Sequence, residues 1–213
     1  MEVTQNVQAQ GEIISSLQWL GRSRSGVHVS DLVLCLRKSY LRAVHEILPT
    51  EEEVLFWLVG RGYHAALEGY EQPSEVSLVR DGLMGTPDQV ILENGRVIPV
   101  EIKSTRQSVN KDILENIWWL RTIKAYCFLC STTFGRLVVL NIIGDWKDIA
   151  PQLRVFDFGF TPEEIQENWE WLQARKALYL ESFEKRTLPP LEKTPAWMCK
   201  SCVVVKYCGE SGK

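Results

Sequence analysis

Glu101 and Lys103 stand two residues apart in Val100-Glu101-Ile102-Lys103-Ser104-Thr105. In a strand that spacing places both side chains on one face. Asp88 lies upstream in Gly85-Thr86-Pro87-Asp88, and the intervening Asn94-Gly95 is a tight-turn signal. A reversal there brings Asp88 toward Glu101. Two carboxylates at one point repel each other unless a cation neutralises them. Hard oxygen ligands favour Mg²⁺ or Mn²⁺. His64, in Gly60-Arg61-Gly62-Tyr63-His64, can add a nitrogen ligand. A lysine beside such an ion can orient water or balance charge growing on a phosphate. The set fits metal-assisted phosphodiester hydrolysis. Each piece has a plainer alternative: an exposed ion pair, a structural histidine, a turn at Pro87-Asp88. Their joint occurrence favours a site, as does the cost of unpaired charge in an otherwise apolar strand.

The second constellation is sulfur. Cys199-Lys200-Ser201-Cys202 is a C-x-x-C pair, and Cys208 follows after five residues. Three thiolates so close suit a metal or a cluster. A fourth ligand is needed, and Cys35, far upstream, is the leading candidate; a ring closed through it staples the two chain ends together. Four thiolates take Zn²⁺ in a tetrahedron or a [4Fe–4S] cluster, and spacing does not decide between them. Cys127 and Cys130 repeat the C-x-x-C spacing among Ala125, Phe128 and Leu129. On a helix face these read as small buried groups, with a redox pair as the sharper alternative.

The elements that must position these residues are legible as periodic segments. Ser30 is expected to cap a helix ending near His45, with Asp31 in its first turn. A second helix is expected over Glu51–Tyr70, opened by three glutamates, with Leu55, Leu58, Val59 and Ala66 facing inward. Strands are expected over 76–80, 83–92 and 96–103, turning at Asp81-Gly82 and Asn94-Gly95, as a meander. A long helix over 111–132 follows, then strands over 137–143 and 153–160. Thr161-Pro162-Glu163-Glu164 is a capping box opening a helix to about Lys185. The order predicts an α/β (α+β) fold with one central mixed sheet flanked by helices. Residues 1–26 are expected to be partly mobile and 27–213 to form one domain. Within it, 27–72 are helices bearing Cys35, 73–186 the core, and 187–213 the cysteine-rich tail.

The chain has 213 residues, 45% hydrophobic and 24% charged, with net charge -3. These values exclude a disordered or fibrous chain. No apolar run approaches the roughly 20 residues that span a bilayer, and the first 26 lack a secretory pattern; a cytoplasmic protein is expected, and no membrane partner. Six cysteines in that compartment argue for ligands or buried groups over disulfides. Residues 96–124 carry six bases against three acids, so a local basic face is compatible with the acidic total. Arg106, Lys111, Arg121 and Lys124 are the candidates for phosphate contacts, with Ser104 and Thr105 beside them. Trp118 and Trp119, adjacent on a helix, must point to different sides; core packing is the expected role of most of the eight tryptophans.

Pro87-Asp88 followed by Glu101-Ile102-Lys103 resembles the PD-(D/E)xK nuclease signature, and Gly-Tyr-His64 upstream with Tyr126 downstream resembles its RecB-like branch. One cysteine before these residues and three after them resemble the CRISPR-associated exonuclease family numbered four, over roughly Val29–Cys208. The resemblance implies a restriction-endonuclease-like core. It implies His64, Asp88, Glu101 and the Ile102 carbonyl as ligands of Mn²⁺ or Mg²⁺, and Lys103 as the catalytic lysine. Tyr126 matches the tyrosine of a helical Q-x-x-x-Y motif that helps hold DNA, although position 122 is Thr where the family has Gln. It further implies a [4Fe–4S] cluster on Cys35, Cys199, Cys202 and Cys208. The activity implied is a free-standing exonuclease on single-stranded DNA, with endonuclease action as an added mode. Its context is DNA processing for CRISPR spacer acquisition, with integrase proteins as partners. The rival class is a DNA-end-binding or assembly module that does not cut; an iron–sulfur electron carrier leaves Asp88, Glu101 and Lys103 unexplained.

Overall fold

The computed structural model describes residues 6–19, 25–45, 47–68, 76–145, 147, 150–192, 194–200 and 202–209. Four helices lead: α1 (Val7–Trp19), α2 (Val29–Val33), α3 (Leu36–His45) and α4 (Glu51–Glu68). A separate two-stranded hairpin follows, β1 (Leu78–Arg80) and β2 (Leu83–Gly85), turning at Asp81 and Gly82, both with positive φ. The central sheet has the order β3 (Gln89–Glu93), β4 (Arg96–Thr105), β5 (Phe134–Asn141), β6 (Gln152–Gly159). Only the β4–β5 pair is parallel, and its crossover is α5 (Ile117–Leu129). The remaining elements are α6 (Pro162–Lys185) and the short α7 (Ala196–Lys200). The expected mixed sheet flanked by helices is therefore present.

Alternation along β5 explains one layer. Leu137 and Val139 are fully buried and meet Ile123 and Cys127 of α5 and Ile165 of α6. The second cluster joins α2, α3, β2, α5 and α6 through Leu32, Leu36, Leu83, Tyr126, Trp169 and Leu172. Trp118 packs against this cluster and Trp119 against the first, as adjacent helical positions require. The capping box of α6 forms as its sequence predicts: Thr161 Oγ1 accepts from Glu164 N, and Glu164 Oε2 from Thr161 N.

Several expected elements are corrected. Within the first segment, Val7–Trp19 form a helix, with Gln10 Nε2 donating to Glu51 and Gln18 Nε2 to the Pro49 carbonyl. Residues 1–5 and 20–24 lie outside the described residues. The helix expected from Ser30 to His45 starts after His28 instead, whose N–H donates to Asp31, and it is broken at Leu34-Cys35. The break has a long-range cause: the buried Arg175 guanidinium takes the carbonyls of Leu32 and Leu34 and pairs with Glu192. On α4, Leu55, Leu58, Val59 and Ala66 do not face inward; all four are exposed, and Val54 is the helix's buried apolar anchor. The strand expected over 83–92 is two strands in different sheets, divided at Thr86-Pro87-Asp88. The long helix starts at Ile117, after a 3-10 turn at Ile113–Glu115 capped by Asp112.

Gly85 sets how closely the segment leading to Asp88 approaches α5. A methyl group added there would overlap the Leu129 side chain and press on the Tyr126 ring at 3.1 Å. Gly85→Ala is expected to cost about 1–3 kcal/mol, as overpacking does, read as a lower urea midpoint. An unchanged midpoint would contradict this packing.

Candidate active site

The site is built where a strand loses its partner. β3 and β4 pair from Glu93↔Arg96 to Gln89↔Val100. Continued by two residues, that register would set Ile102 opposite Pro87. Proline has no N–H to donate, so the ladder cannot continue. Both peptide groups of Ile102 are then satisfied by side chains. Its N–H donates to Asp88 Oδ2 at 2.6 Å, and its carbonyl lies 3.2 Å from His64 Nε2. His64 reaches over from α4, and its Nδ1 is 3.3 Å from Asp88 Oδ1.

Both ring nitrogens of His64 thus face acceptors, an arrangement that suits the imidazolium. The Asp88 hydrogen bond holds the His64 pKa above its ordinary value of 6.5 against the opposing effect of burial. Glu101 and Lys103 leave β4 on one face and pair directly with each other. Glu101 is 4% exposed, so its carboxylate depends on that partner. Burial works against the Lys103 ammonium, but Glu101 outweighs it and raises the lysine pKa. Asp88, His64, Glu101 and Lys103 also act on one another electrostatically. The structure therefore brings together all four residues singled out from the sequence, along with the Ile102 carbonyl.

The donor set suits a hard divalent cation: two carboxylates, one imidazole and one peptide carbonyl. As they stand, Lys103 pairs with Glu101, and the hydrogen bond to Asp88 favours the protonated form of His64. Among the described residues no three His, Cys, Asp or Glu side chains are gathered tightly enough to hold an ion. An ion would take the place of the His64 proton and of the Lys103 contact on Glu101. Tyr126, the residue expected to help hold DNA, lies on α5. It is 7% exposed, in the cluster below β2, with its ring against Gly85. At position 122, the Thr122 hydroxyl donates back to the Trp118 carbonyl at 2.9 Å.

At the other site, Cys35 sits in the α2–α3 break, where burial first, and then the charges of Cys208 and Cys202, push its thiol pKa up. Those three cysteines share one neighbourhood. Cys199 is exposed, its sulfur 3.2 Å from the Thr194 hydroxyl. The donor chemistry fits a four-thiolate centre once Cys199 joins the other three. Two residues missed from the sequence support it. Arg37 donates from Nε to the Pro189 carbonyl (2.8 Å) and from Nη1 to the Cys208 carbonyl (3.2 Å), with Cys208 Sγ at 3.9 Å. Arg175 holds the break that presents Cys35. Charge alone gave no signal for either, because the carbonyls they hold lie 140 residues or more away in sequence. Cys127 is buried, its Sγ donating to the Phe134 carbonyl, and burial pushes it to about 12 and Cys130 to about 11. Neither is an activated thiolate.

The four basic candidates are unequal. Arg121 lies 3.7 Å over the Trp171 ring and bonds Asn168, while Lys124 pairs with Glu164 at 3.0 Å; both are committed to α6. Lys111 reaches Asn116 at 3.4 Å. Arg106 is 56% exposed, near Glu52 and over the Phe56 ring.

No family model and no curated protein matches the chain. Among solved structures it is similar to SSO0001, with 18% identity and a TM-score of 0.63 over 95% of this chain and 96% of that one. That likeness shows a shared fold. An alkaline exonuclease from Laribacter hongkongensis (LHK-Exo) is 14% identical with a TM-score of 0.45, over 83% of this chain and 95% of that one. Its complex with dAMP gives a TM-score of 0.44. At that distance neither activity nor site is established. No helix among the described residues is long and apolar enough to cross a membrane.

In metal-free solution the His64 imidazole is expected to titrate above 6.5 by NMR, and Asp88→Asn is expected to lower its midpoint. A midpoint that ignores the substitution would break the Asp88–His64 pairing.

Proposed function

We propose that the chain is a divalent-metal-dependent deoxyribonuclease that hydrolyses phosphodiester bonds, acting as an exonuclease on single-stranded DNA. The observation that carries this reading is the convergence of Asp88, His64, Glu101 and Lys103 around Ile102, where Pro87 ends the strand pairing. Asp88, Glu101, His64 and the Ile102 carbonyl would hold Mn²⁺ or Mg²⁺. When bound, such an ion polarises the phosphoryl oxygen and lowers the pKa of water.

The chain's own residues do the rest. Asp88 and Glu101 supply the negative charge that selects a cation. His64 must give up a proton to become a ligand, so binding is expected to strengthen as pH rises through its raised pKa. Lys103, released from Glu101, donates to a phosphate oxygen and offsets the charge that grows on it. Tyr126 supports the segment leading to Asp88 through Gly85.

Cys35, Cys199, Cys202 and Cys208 would hold a [4Fe–4S] cluster, with Zn²⁺ as the alternative for the same thiolates. Either would supply a structural tie between the α2–α3 break and the tail. The family resemblance adds the finer reading: DNA processing for CRISPR spacer acquisition in the cytoplasm, with integrase proteins as partners. A second reading, a DNA-end holder that does not cut, draws on the pairing of the four residues with one another, His64 with Asp88 and Lys103 with Glu101. Labelled single-stranded DNA with Mn²⁺, with and without EDTA, separates the two.

Asp88→Asn, Glu101→Gln and Lys103→Ala are each expected to cut Mn²⁺-dependent cleavage by at least about a hundredfold while the circular-dichroism melt persists. Full activity in any of them would remove that residue from the mechanism. Protein purified without oxygen is expected to be brown, and Cys199→Ala to lose colour and iron and to melt lower. A colourless wild type carrying zinc would replace the cluster with the metal.

A further inference from the structure

We propose that α4 and the end of β4 form a subsite for an unpaired nucleotide, in which Phe56, flanked by the Arg106 guanidinium, stacks a base two helical turns from His64. The inference rests on the nuclease reading and deepens it by naming what distinguishes a single strand from a duplex.

The observation is a register between helix and strand. His64 Nε2 meets the Ile102 carbonyl at 3.2 Å. One turn earlier, a Cβ on Gly60 would lie 3.6 Å from Ser104 Oγ. One turn earlier again, Arg106 stands 4.3 Å over the Phe56 ring. Four helical residues advance about 6 Å and two strand residues about 6.6 Å, so the elements stay in step. Phe56 and Arg106 therefore sit about 12 Å along the helix from His64.

A cleft opens there, lined by Phe56, Val59, Ser104, Thr105, Arg106 and Ile142. Its chemistry is that of a nucleotide site. The Phe56 ring is 39% exposed and offers a π surface, with a cation already on it. Val59 and Ile142 give apolar walls. Thr105 Oγ1 accepts from Gln107 N, so its own hydrogen is available to donate, and Arg106 supplies positive charge for a phosphate. Base stacking on an aromatic side chain needs a base freed from its duplex neighbours.

Glu51 and Glu52 border the same helix end, and Glu52 lies 3.9 Å from Arg106. Glu52 is 75% exposed, so this pair is weak and a phosphate competes with it. The expected consequence is that removing the Glu52 charge strengthens binding.

The test uses the full chain in buffer free of divalent ions, with fluorescence anisotropy of a labelled single-stranded oligonucleotide and of a blunt duplex. Phe56→Ala is expected to weaken single-strand binding about tenfold and to leave the duplex unchanged. Phe56→Trp restores binding, and Glu52→Gln tightens it. Wild-type affinity in Phe56→Ala, or equal losses on both probes, would overturn the subsite. So would a drop in molar mass by light scattering in Phe56→Ala, because a second copy of the chain would then cover this face. Mn²⁺-dependent cleavage is measured separately. A wild type that binds through Phe56 but never cuts keeps the subsite and loses the nuclease reading. One that cuts while Phe56→Ala binds normally loses only the subsite.

Discussion

Pro87 is the constraint on which the site depends. β3 pairs with β4 only as far as Gln89↔Val100, and because Pro87 cannot donate a hydrogen bond, the Ile102 carbonyl has no strand donor on that side. A buried peptide group without a partner is costly. The adjacent residue, Asp88, supplies an acceptor for the Ile102 N–H, and His64 of α4 meets its carbonyl. The same break aims an acidic side chain and an imidazole at a point flanked by Glu101 and Lys103. The missing N–H of Pro87 accounts for the carbonyl left to His64, and Asp88 beside it takes the Ile102 N–H.

The charges close on themselves. Burial raises the Glu101 pKa and the adjacent Lys103 opposes that rise, which offsets part of the cost of holding the group at 4% exposure. Such a site is stable without an ion and must be rearranged to accept one. The movable parts are the proton of His64 and the flexible stem of Lys103, whose side chain is 33% exposed. Asp88, tied to a backbone N–H, is the fixed part.

Sequence made legible what depends on short spacing. The two-residue step from Glu101 to Lys103, the Asn94-Gly95 turn and the Thr161 capping box all took their expected form. Features set by distant partners were hidden. The break at Cys35 depends on Arg175, and the hold on Cys208 depends on Arg37. The helical period of Leu55, Leu58 and Val59 correctly marked a helix, but these side chains are exposed, while α4 approaches β4 through His64, Gly60 and Phe56. Arg121 and Lys124 had the right charge for phosphate, yet α6 offers both closer partners. Pro87-Asp88 was recognisable as a signature, whereas its effect of splitting the expected strand between two sheets followed from the pairing register alone.

The most direct test is anomalous diffraction from a crystal grown without oxygen and soaked in Mn²⁺. The account predicts a manganese peak bonded to the Asp88 and Glu101 carboxylates, with Lys103 turned away from Glu101. A peak elsewhere, or none with the Glu101–Lys103 pair intact at saturating Mn²⁺, would contradict it.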